Sequence, residues 1–219
     1  MSFLSQLKTQ ATSLQNQQRG QLENFEANCA QTETACLKAW SYLDDLARQL
    51  NVIQPPGPNF TLDGKTPWPA MKLTGFRADS RKKRLRDKEV FDYLAVGWNI
   101  VPLGGPGPVG TSAGSVTVNF PPDLQRVESR LAMGSVKHER KEVRHPEKNT
   151  LLAIRFEYTP EARGSVQITA DHENAKLAFR VANASGFEII NTSWPAAQVQ
   201  TSTLDELAKM IVAQPHRFA

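Results

Sequence analysis

The first proline of the chain is Pro55, and the residues before it contain a single glycine, Gly20. Apolar or small residues recur through this stretch at Leu4, Leu7, Ala11, Leu14, Leu22, Phe25, Cys29, Cys36, Ala39, Leu43, Leu46 and Leu50. The steps are mostly three and four, so these side chains fall on one helical stripe. The spacing predicts one amphipathic helix over residues 1–53. A polar helix with an apolar stripe must lay that stripe on its own domain, on another helix or on a partner. The first turns of the stripe, Leu4, Leu7, Ala11, Leu14, Leu22 and Phe25, are the expected docking residues for a second copy or another protein.

Gln54-Pro55-Pro56-Gly57-Pro58 ends the helix, because prolines lack the donor N–H and clash with the preceding turn. Residues 54–69 read as an extended Pro/Gly-rich connector and residues 70–219 as a domain. Within it, strands are predicted over 71–78, 89–103 and 115–120. Pro121-Pro122 then opens a helix to about Met133, where Leu124, Val127 and Leu131 share a face. The remainder alternates cleanly. Ile154, Phe156 and Tyr158 are separated by Arg155 and Glu157, and Leu177, Phe179 and Val181 by Ala178 and Arg180. Strands over 135–144, 150–158, 165–170, 175–181 and 187–191 are expected to form one antiparallel meander with a single buried face. A last helix over 204–213 carries Thr203 and Glu206 at capping-box spacing. The fold class is therefore α+β: a long N-terminal helix followed by an antiparallel sheet with one or two packed helices.

Charge is uneven. Net charge is +4 over 219 residues, and residues 54–104 hold nine basic against five acidic residues. The excess centres on Arg81, Lys82, Lys83, Arg84 and Arg86, beside Arg77 and Lys88. Such a run suits phosphates or another polyanion, and equally a solvated arm. The strand over 135–144 is polar on both faces, which suits a sheet edge.

Signals for catalysis are weak. Gly105-Pro106-Gly107-Pro108-Val109-Gly110 matches G-x-G-x-x-G, but its prolines remove N–H groups and a strand, not a helix, follows. A hairpin loop that binds no nucleotide is the expectation. His138, His145, His172 and His216 lack metal-ligand spacing, and Asp171-His172-Glu173 falls in an expected solvated turn. No cofactor is expected.

Cys29 and Cys36 lie seven apart on the stripe, about 10 Å along a helix, too far for a mutual disulfide. They read as small buried residues in a reducing, cytoplasmic setting. No secretory leader, myristoylation signal or membrane span is expected. The leading functional expectation is a non-enzymatic interaction or assembly module acting through the helix. A nucleic-acid-binding protein using residues 77–88 comes second, and a small-molecule enzyme or sensor with a pocket under the sheet third.

Overall fold

The computed structural model describes residues 3–104 and 114–218; within α1 the side chain of Leu4 is also outside the described set. The glycine-loop motif at 105–110 therefore lies outside the described residues.

The N-terminal stripe does become a helix, α1 (Phe3–Ile53), continuous over 51 residues. Seven apolar α1 side chains, Cys29, Ala35, Cys36, Ala39, Leu43, Ala47 and Leu50, are buried. Apart from Cys29 they belong to one core with the sheet. The stripe thus divides. From Cys29 onward it is covered by the chain's own sheet. From Phe3 to Asn24 every described residue except Gly20 is exposed, an arm about 33 Å long at 1.5 Å per residue.

The sheet region begins with β1 (Met71–Leu85) and β2 (Lys88–Pro102). β3 (Gly114–Val118), α2 (Pro121–Met133), β4 (His138–Arg144) and β5 (Leu151–Tyr158) follow. Next come β6 (Ala162–Asp171), β7 (Lys176–Ala182), β8 (Ile189–Pro195) and α3 (Thr201–Ile211). All pairing is antiparallel. The meander expected over 135–191 is split between two sheets: β1-β2-β6-β7-β8 and β3-β5-β4. The reason is register. β2 takes β6 as its neighbour, pairing Tyr93 to Ile100 with Thr169 to Ala162. The intervening β3 to β5 must then pair among themselves. β4 is an edge strand with every residue exposed, and its mixed charges protect that edge.

One face of the five-stranded sheet carries Leu94, Val96, Ile100, Val166, Ile168, Leu177, Phe179 and Val181, all buried. α1 and α3 contribute to the same core, α3 through Leu204, Leu207, Met210 and Ile211. The connector is packed rather than free. Gly57 N–H donates to Met71 O and Leu73 N–H to Pro55 O. Its Phe60 and Trp68 join Phe187 and Tyr158 in an aromatic cluster, with Trp68 stacked on Tyr158 at 5.7 Å. This cluster ties the second sheet to the first.

Two local expectations give way. The strand predicted to stop at Ala78 runs on to Leu85, because β1 and β2 pair through Leu85↔Lys88 and zip up a hairpin with no apolar pattern of its own. The capping box of α3 does not form: Gln200 is the N-cap, and Thr203 Oγ1 donates to Gln198 O. Glu206 instead accepts the Arg217 N–H at 2.6 Å, holding the chain beyond the helix.

Candidate functional site

Three surfaces bear on function: the helical arm, the basic hairpin and a cleft on the outer face of the five-stranded sheet.

On the arm, Leu7, Leu14 and Leu22 are 44%, 59% and 48% exposed, and Phe3 reaches 74%. Ala11 is also exposed. The other predicted docking residue, Phe25, is half-buried because the hairpin tip reaches it: the Arg86 guanidinium sits 3.8 Å from its ring centroid. Lys88 Nζ lies 4.0 Å from Glu26 at the same level. Between helix and tip, Leu22, Phe25, Cys29, Leu85 and Val90 line a mostly apolar cavity of about 270 Å³. The hairpin tip is thus where the free arm ends and the body begins.

The five basic residues singled out in the sequence come together on this hairpin, and carboxylates come with them. β6 flanks β2 only from Tyr93 onward, so the hairpin beyond Arg81 is a two-stranded projection. Arg81 and Lys83 both approach Asp92, at 4.0 and 3.0 Å. Lys82 lies 3.9 Å from Glu89 and over the Phe91 ring. Arg84 lies 3.8 Å from Asp87, and Arg86 covers Phe25. These are exposed pairs, worth little to stability. Each of these five cations thus has a carboxylate or an aromatic ring beside it.

His172 departs from its expected solvated turn. It is buried, and its Nε2 lies 2.8 Å from Glu33 Oε1 on α1. The two cysteines are free and buried. Burial pushes the Cys36 thiol up to about 12, with the nearby Glu33 charge adding to it. Burial also raises Cys29, against the opposing pull of Lys88 and Arg86. Both thiols are therefore held in their unreactive form.

The third surface was not legible as a motif. The rung Arg77↔Gly97↔Ser165↔Ala182↔Ile189 crosses all five strands. Its three central members are small, so the outer face is hollowed there. The resulting open cleft has a volume of about 680 Å³, and Arg77, Arg163 and Arg180 all line it. No acidic residue lines it. Asn183 forms part of the wall; its Nδ2 donates to Met133 O and Arg163 O, fixing the end of α2 against β6. This cleft lies on the outer face of the sheet, away from the face that α1 and α3 cover.

Among the described residues no cluster of His, Cys, Asp and Glu is arranged to hold a metal ion, and no helix is long and apolar enough to cross a membrane. The architecture defines the chain only as an α+β protein with an antiparallel five-stranded sheet and a long N-terminal helix. No family model, curated protein or solved structure matches it.

Proposed function

We propose that the chain is an assembly module whose helical arm, residues 3–24, pairs with the arm of a second copy. The observation that carries this reading is the exposure of Leu7, Leu14 and Leu22 along one face of a helix that reaches the hairpin tip only at Leu22 and Phe25. A helix of this composition, rich in Gln and interrupted by Gly20, gains most of its stability from packing rather than propensity. Beyond Phe25 that packing comes from the sheet. Before it, a partner must supply it.

A second copy suits the surface. Leu7, Ala11, Leu14, Gln18, Gln21 and Phe25 keep the alternating four-three spacing of a two-stranded coil. Gln18 and Gln21 interrupt its apolar seam. In a parallel, in-register pair each meets its own copy and can share a side-chain amide hydrogen bond, so register is specified. Charge does not oppose pairing, since the arm carries only Lys8, Arg19 and Glu23, and Arg19 donates to Glu23 at 3.0 Å. The interface is isologous, as most closed homo-oligomers require.

Light scattering on the full chain and on a Leu7→Asp/Leu14→Asp variant tests this. Both positions are solvent-exposed, so the body should fold unchanged. The expected result is a dimer that the double substitution converts to a monomer. A monomeric full chain, or a variant with the same mass as the parent, would overturn the reading.

A further inference from the structure

We infer that the cleft on the outer face of the five-stranded sheet binds a small, multiply charged phosphate ester through Arg77, Arg163 and Arg180. This goes beyond assembly and does not depend on it, because the cleft lies on β1, β2, β6 and β7, away from the arm.

The first argument is placement. Arg77 stands on β1 in the rung floored by Gly97, Ser165 and Ala182. Arg180, two residues from Ala182 along β7, pairs with Gln167 two rungs away. Arg163, two residues from Ser165 along β6, pairs with Asn99 on the other side. At about 4.8 Å between strands and about 3.3 Å per residue, the three Cα positions lie on the order of 12–16 Å apart around that floor. An extended arginine side chain covers roughly half such a distance, so three guanidinium groups can reach one ligand between them.

The second argument is charge. The hairpin cations sit beside carboxylates or a ring, but none of the three cleft arginines makes an ion pair among the described residues. Three like charges around an acid-free depression repel one another, and an anion relieves that repulsion. The planar fork of each guanidinium matches two phosphate oxygens at once.

The third argument is hydrogen-bond satisfaction. Four buried side-chain polar atoms lack a partner among the described residues, and two belong to cleft residues: Trp98 Nε1 and Asn183 Oδ1. Buried polar groups in folded proteins are nearly always paired. The Trp98 indole packs on the core side against Gly164 and Phe76, so the orphan that bears on the cleft is Asn183 Oδ1, which a ligand or water there completes. The volume is that of a small-molecule site, not of a surface that tracks a strand of nucleic acid. The ligand class is therefore a compact phosphate ester rather than a polymer.

Calorimetry with inorganic pyrophosphate as the probe, at low ionic strength, tests the assignment. Three chains are compared: the parent, Arg163→Gln/Arg180→Gln, and the hairpin variant Lys82→Glu/Lys83→Glu/Arg84→Glu. All substituted side chains are exposed except the half-buried Lys83, and circular dichroism verifies that each variant is folded. The parent should bind one pyrophosphate per chain, the cleft variant should lose about tenfold or more in affinity, and the hairpin variant should bind like the parent. No heat with the parent, binding that survives the cleft variant, or binding lost in the hairpin variant would each overturn the inference. So would a parent that binds single-stranded DNA but not pyrophosphate.

Discussion

Glu33 Oε1 on the long helix lies 2.8 Å from His172 Nε2 in the β6–β7 turn, and the same oxygen accepts the Phe91 N–H at 2.9 Å. One carboxylate oxygen thus joins three distant segments where the helix meets the sheet. Asn28 Nδ2, donating to Glu173 O, reinforces the junction one turn earlier.

Removing either side of this contact leaves a polar group short of its partner in a largely dry setting. His172→Ala and Glu33→Ala should each cost about 1–3 kcal/mol. A double-mutant cycle by urea unfolding should give a double variant less destabilised than the sum of the singles. Strict additivity would mean that the two side chains act independently.

A second prediction concerns close packing. The pair Trp98↔Gly164 brings the indole so close that a Cβ at Gly164 would lie 2.2 Å from Trp98 Cε2. Neither the backbone nor the ring can yield cheaply. Gly164→Ala should destabilise the fold by about 1–3 kcal/mol or more. Gly20→Ala in the arm is the opposite case. Its added methyl meets nothing, and it should increase helicity by about 0.8–1 kcal/mol. Thermal melts and far-UV dichroism of the two variants should move in opposite directions.

The acid limb of stability should depend on Asp63. Burial raises its pKa, but the N–H groups of Thr66 and Lys65 and the hydroxyls of Thr66 and Thr61 outweigh that and hold it at about 2, against an ordinary 3.8. A depressed folded pKa contributes stability that is fully present above pH 3.8 and is lost as pH falls towards about 2. Asp63→Ala should lower stability at neutral pH and flatten the decline over that window. Parallel pH profiles for parent and variant would contradict this.

The sequence made some of these features plain and hid others for physical reasons. The helix over 3–53 was legible because its period runs unbroken and no proline intrudes. The alternation in β5 and β7 was legible because each buries one face. The extension of β1 to Leu85 was not, because Arg81 to Arg84 carry no apolar alternation and are held only by pairing with β2. The burial of His172 depends on Glu33, which lies 139 residues away. Arg77, Arg163 and Arg180 likewise come to line one cleft only through strand register. The carboxylates that pair with the densest basic run were also not assignable from sequence, since Asp92 and Glu89 meet it only across the hairpin.

The division of the helix sets limits on truncation. A chain beginning near Asn59 looks self-contained in sequence, but it would lack Ala35, Cys36, Ala39, Leu43, Ala47 and Leu50 of the shared core. That chain should be unfolded or aggregated, as judged by loss of near-UV dichroism. A chain beginning at Gln21 removes no buried residue among those described and should keep the parent's near-UV spectrum.

That shorter truncation also gives the most direct test of the central claim, that the arm assembles the protein. Sedimentation equilibrium of the full chain and of the chain beginning at Gln21, over a range of concentrations, reports mass without reference to shape. The account predicts a dimer for the full chain and a folded monomer for the truncated one. Equal subunit counts for the two chains would contradict it.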